Sequence, residues 1–77
     1  MIKVGQIWDK NIENTLRGKV CVTYIYCYSN GRVKVDYITK GGICFSHDDE
    51  YFLKLNRKCI AEYPTWQEAV NSKEFNK

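Results

Sequence analysis

Residues 19–37 read KVCVTYIYCYSNGRVKVDY, and this stretch limits the fold more than any other part of the chain. Lys19–Tyr28 is dense in β-branched and aromatic side chains, the composition of a strand. Asn30-Gly31 follows. Both residues tolerate positive φ, so the sequence predicts a two-residue type I′ hairpin. The turn sets the register. It pairs Tyr28 with Val33, Tyr26 with Val35 and Tyr24 with Tyr37 on one face. Lys34 and Asp36 fall on the other face, beside Cys27 and Ile25. A face that mixes tyrosine with valine reads as the wall of a core, with Tyr28, nearest the turn, closest to solvent. The competing reading of a tyrosine row is a platform for stacking nucleic-acid bases.

The rest of the chain supplies short elements around this hairpin. Val4–Trp8 reads as a first strand with Val4, Gln6 and Trp8 on one side. DKNIENTLRGK is a polar loop that Ile12 and Leu16 would anchor. Lys40-Gly41-Gly42 makes a second turn into a short strand, Ile43–Phe45. In SHDDE, Ser46 is placed to cap one helical turn over His47–Glu50, because acidic residues favour a helix N-terminus. Tyr51–Leu55 and Lys58–Tyr63 read as two further extended segments. Pro64 ends the run, and Thr65 with Glu68 three residues on forms a capping box. Trp66, Ala69 and Val70 then lie at helical spacing, and Ser72–Phe75 either continues the helix or forms a second turn with Phe75 docked. Five short strands and one helix predict a mainly β protein: a small five-stranded SH3-like barrel over 1–63, with a C-terminal helix over 64–77 closing one end in a single domain. The long first loop, tight meander and helical turn before the last strand favour SH3-like over an OB-like alternative.

Length and composition bound the function. A chain of 77 residues buries only about 60% of its unfolded surface, which leaves little room for an internal catalytic cleft. Aromatic residues at 14% let a small core bury much area with few side chains. The net charge of +3 permits an acidic partner without requiring one. No apolar run reaches the roughly 20 residues that span a bilayer. The start, MIKVGQIWDK, lacks the apolar region of a signal peptide, so a cytoplasmic protein is expected. Four cysteines are then expected as free thiols. Cys21 and Cys27 on one strand would stand roughly 20 Å apart, too far to bridge.

No catalytic constellation is readable. His47, Asp48, Asp49 and Glu50 are the only dense ionisable cluster, but adjacent residues in one turn diverge, whereas a site needs groups converging from several elements. Cys44 and His47 have C-x-x-H spacing without a second close ligand pair for zinc. No glycine-rich phosphate loop is present. The expectation is a non-enzyme without cofactor or metal. Binding candidates are Tyr28, Arg32, Lys34 and Lys40 around the main hairpin, and Trp66 as a possible anchor, although its place on an amphipathic helix favours a core role. The predicted register separates Lys34 from the tyrosines, which weakens a base-stacking platform.

Two segments add a resemblance. VGQIW together with SHDDEYFLKL is similar to small bacteriophage-encoded proteins predicted to fold as SH3-like barrels, and YPTWQEAVNSKEF resembles the ends of small accessory proteins of T-even-type phages. The likeness covers about half of the chain and names no site. It implies a phage accessory protein, made in the cytoplasm of a bacterial host, that binds and modulates or inhibits a host or anti-phage defence protein. The alternatives are a single-strand or RNA-binding barrel, and an oligomeric sponge for a nucleotide messenger. An exposed edge strand would also suit a homodimer.

Overall fold

The structure, a computed structural model, describes residues 1–10 and 18–76. The elements run β1 (Gln6–Lys10), β2 (Lys19–Cys27), β3 (Val33–Thr39), β4 (Cys44–Asp48), α1 (Asp49–Leu55), β5 (Asn56–Glu62), α2 (Trp66–Val70) and α3 (Lys73–Asn76). The strands form one antiparallel sheet in the order β4-β3-β2-β1-β5. This is a mainly β globule, but the sheet is open: β4 and β5 are its edges, so no closed barrel forms. The expected loop over 9–19, with Ile12 and Leu16, lies largely outside the described residues.

The first hairpin departs from the expected register by one residue. Tyr28 N–H donates to Arg32 O (2.8 Å) and Gly31 N–H to Tyr28 O (3.0 Å), so the loop is Ser29-Asn30-Gly31, not Asn30-Gly31. Gly31 takes φ 87°, the left-handed residue that follows a type I turn in three-residue hairpins. Asn30 Oδ1 accepts from Arg32 N–H at 3.0 Å and holds the bend. The pairs become Cys27 with Val33, Tyr26 with Lys34, Ile25 with Val35 and Tyr24 with Asp36. A one-residue slip exchanges the two faces of a strand. Tyr24 and Tyr26 therefore share the face of Lys34 and Asp36, while Ile25 and Cys27 join the valines. The physical reason is the hydroxyl. Burying several tyrosines demands a hydrogen-bond partner for each, whereas Ile25 and Cys27 demand none. The second hairpin repeats the geometry, with Thr39 N–H donating to Ile43 O, Gly42 N–H to Thr39 O and Gly42 at φ 87°.

A bulge at Thr23 then restores the phase. Val22 pairs with Tyr37 and Val20 with Thr39, so Val20 and Val22 lie on the same face as Ile25 despite the odd spacing. That face carries the first core: Trp8, Val20, Val22, Val35, Tyr37 and Phe52 are buried. Phe52 comes from α1, and its ring meets Trp8 edge-on at 5.5 Å and Tyr37 at 5.1 Å. The opposite face is covered at the β1–β2–β5 end by α2 and α3. There Ile7, Cys21, Ala69 and Phe75 form a second buried cluster. Lys19 Nζ donates to Glu74 O at 2.6 Å and ties α3 to β2.

Residues 44–55 differ most from expectation. Cys44–Asp48 is strand, and Tyr51–Leu55 is helical rather than extended. Asp48, not Ser46, caps the helix: its Oδ1 accepts from Tyr51 N–H at 2.8 Å. Asp49 and Glu50 in the first turn and Lys54 in the last complement the helix dipole. The α1 helix packs against β3, β4 and β5. Its Phe52 is the residue that α1 contributes to the first core. At the C-terminus Thr65 caps α2 as expected, accepting from Glu68 N–H at 3.2 Å, and Phe75 docks from a separate short helix.

Gly5 sets where β1 begins, two residues later than expected. It has φ 93°, donates its N–H to Val22 O and accepts from Tyr63 N–H. An added Cβ would stand 2.2 Å from Tyr63 O. Gly31 has open space around the same position. Urea unfolding should show Gly5→Ala costing about 3 kcal/mol or more, from overlap plus left-handed strain. Gly31→Ala should cost only the left-handed term, about 1–2 kcal/mol. Equal effects would contradict the packing at Gly5.

Burial raises the Cys21 thiol pKa to about 11. An unfolded thiol ionises near about pH 8.5. The folded state thus holds the proton more tightly, and the stability present below that pH declines as pH rises toward the folded value. Unfolding free energy should fall across this alkaline window, and fall less steeply in Cys21→Ala.

Candidate functional site

The half of the second face that α2 and α3 leave uncovered carries the tyrosine row. The alternation of β2 places Tyr24 and Tyr26 there, and Tyr28 follows just past its end beside Lys34 and Ser46, the three exposed at 53%, 42% and 50%, while Tyr37 on the core face is 2% exposed. The first reading of the row as core wall is therefore corrected: the slip in register turns it to solvent. The Tyr24 and Tyr26 rings meet at 4.5 Å with an interplanar angle of 64°. Lys34 Nζ lies 5.9 Å from the centre of the Tyr26 ring, within cation–π range.

Charged neighbours of both signs frame the rings. Asp36, opposite Tyr24, accepts from Ser46 Oγ on β4 at 2.5 Å. Arg32 and Asp48 form an ion pair at 3.9 Å, with both side chains well exposed. Tyr28, Arg32, Lys34, Ser46 and Asp48 line one cleft of about 420 Å³ beside the hairpin turn. The face is aromatic and polar, with two cations balanced by two carboxylates.

Of the residues singled out from the sequence, Tyr28, Arg32 and Lys34 come together here. Lys40 does not; it sits in the second hairpin turn, beyond the far end of β3. Trp66 does not either. It is half-buried against the second cluster, and its carbonyl accepts from Cys21 Sγ at 3.9 Å. The sequence reading missed Tyr24, Tyr26, Asp36 and Ser46. The signal was present: pairing Ile25 with Val35 and Cys27 with Val33 buries no hydroxyl, and Gly31 in a three-residue loop permits that pairing.

The ionisable run at 47–50 does not converge. His47 lies within β4, its ring against Tyr51 at 4.6 Å and Tyr37 at 5.7 Å, while Asp48 caps α1. Among the described residues no three His, Cys, Asp or Glu side chains gather as metal ligands. The four thiols are free, Cys21 buried and Cys27, Cys44 and Cys59 exposed. Among the described residues no helix is long and apolar enough to cross a membrane.

Comparison with family models, with curated proteins and with solved structures finds no match for the chain. The likeness to small phage proteins accordingly rests on the quoted segments alone.

The two kinds of tyrosine should separate by stability. Tyr24→Ala and Tyr26→Ala should each change the unfolding free energy by no more than about 1 kcal/mol, whereas Tyr37→Ala should cost about 3–5 kcal/mol. Comparable losses at all three positions would return the row to the core.

Proposed function

We infer that the chain is a non-catalytic binding module that docks a folded protein on the tyrosine face. The carrying observation is the exposed Tyr24–Tyr26–Tyr28 row set among balanced charges. Tyrosine is enriched in protein interfaces because it offers a rigid apolar ring with a polar tip, and aromatic residues dominate the energetic centres of such surfaces. Asp36 and Asp48 are already held by Ser46 and Arg32. They supply a polar rim of the kind that sets specificity and excludes wrong partners.

The phage resemblance supplies the biological setting of this reading: a small accessory protein in a bacterial cytoplasm, bound to a host or defence protein. Its architecture fits the same setting. The tight β2–β3–β4 meander and the helical turn before the last strand support an SH3-like fold opened between β4 and β5.

One observation favours a second reading. The register brings Lys34 onto the tyrosine face and over Tyr26, which joins rings and a cation as single-stranded nucleic-acid platforms do. Phosphate would, however, meet Asp36 and Asp48 on the same face, and the local charge is balanced rather than positive. Protein docking is the better fit.

Capture from bacterial lysate with the wild-type chain and with Tyr24→Ala/Tyr26→Ala as baits tests both readings. The wild type should retain a protein that the double variant loses, with affinity reduced by about 2 kcal/mol or more. Fluorescence titration with single-stranded oligonucleotides at low salt should show no binding. Affinity that falls steeply with salt would instead mark counterion release and the nucleic-acid reading.

A further inference from the structure

The outer edge of β4 carries a second, separate group of exposed apolar side chains. Ile43, Phe45 and Tyr51 are exposed at 58%, 40% and 46% on or beside the core face of this strand. The backbone of β4 is equally open. In an antiparallel ladder, residues alternate between bonded and non-bonded pairs. Thr39 bonds Ile43 across the turn, so the bonded pairs that follow are Tyr37 with Phe45 and Val35 with His47. Cys44 and Ser46 therefore aim their N–H and C=O groups away from β3, and Asp48 its N–H, while the Asp48 carbonyl serves the first turn of α1 that it caps. A row of unpaired backbone groups is a template for another strand.

The geometry points to a second copy of this chain as the strand that pairs with β4, antiparallel about a two-fold axis through Ser46. In this register the outward-facing residues meet one another: Ser46 pairs with its own copy, and Cys44 pairs with the second copy's Asp48. A two-fold interface must be self-complementary in this way. On the core face, Phe45 falls opposite the second copy's His47 in a non-bonded pair, where side chains stand closest. Phe45 and His47 already stack within one chain at 6.1 Å, so the pairing extends an existing row of rings. Ile43 reaches the start of the second copy's α1. The ends are complementary in charge as well. The basic turn at Lys40 of one copy comes towards Asp49 and Glu50 of the other, and no like charges are opposed along the ladder. The two sheets become one, and both tyrosine rows lie on the same side of it. This interface borders the tyrosine face, because Ser46 and Asp48 also line the cleft there, but its readout is association of the chain with itself, which is measured apart from the partner proposed above.

Sedimentation equilibrium of the full chain under reducing conditions tests the pairing. Ser46→Pro removes one outward N–H without breaking a bond to β3, since proline is tolerated where an edge strand faces solvent. It should weaken association roughly tenfold or more. Ser46→Lys keeps the backbone donor but sets like charges opposite each other on the axis, and it should do the same. The expected result is twice the monomer mass for the wild type and a shift to monomer for both variants, with unchanged far-UV circular dichroism. Should Ser46→Pro fail to fold, Ser46→Lys decides. A wild type that stays monomeric, or a dimer that survives Ser46→Lys, overturns the proposal.

Discussion

With Gly31 at φ 87° and Asn30 Oδ1 accepting from Arg32 N–H, the first hairpin closes on three loop residues, and the two faces of the sheet are assigned at that point. Ile25 and Val35 go inward together; Tyr24, Tyr26 and Lys34 go outward together. A two-residue loop would bring the opposite set inward and would require partners for the buried tyrosine hydroxyls. The bulge at Thr23 completes the assignment. It lets Val20 and Val22 continue the same core while Cys21 reaches the second cluster under α2 and α3.

Two thin cores on opposite faces of one sheet leave part of its surface uncovered. Phe52 from α1 seals the first core, and Ala69 and Phe75 from α2 and α3 seal the second. Among what remains are the outer half of the second face, with its tyrosines, and the edge of β4, with Ile43 and Phe45. Both expose aromatic or apolar side chains; the first follows from the register of the hairpin and the second from the strand order. In the proposed function the first is the surface that meets another protein. The second offers backbone groups in a self-complementary order.

Much of the architecture was legible in the sequence. The dense strand at 19–27, the two glycine turns, the last strand and the Thr65–Glu68 capping box are local signals, and each corresponds to an element. Three features were not legible, for physical reasons. Asn-Gly favours a two-residue turn by local propensity, yet a three-residue turn with glycine in the left-handed position is also available, and burial chose between them. Tyr51–Leu55 is aromatic and apolar enough to read as a short strand, but Asp48 as cap, acids in the first turn and a core site for Phe52 make it helical. The open edge between β4 and β5 depends on where α1 packs, which no local pattern encodes. The site reading inherited the first of these: Tyr28, Arg32 and Lys34 were found from their place around the turn, while Tyr24 and Tyr26 were assigned to the core.

The register itself can be measured. Adjacent Hα atoms approach closely only across non-bonded antiparallel pairs. Nuclear Overhauser spectra should show strong Hα–Hα contacts between Ile25 and Val35 and between Cys27 and Val33. Contacts between Tyr26 and Val35 and between Tyr28 and Val33 would instead establish the two-residue turn, place the tyrosines in the core, and remove the basis for a binding face.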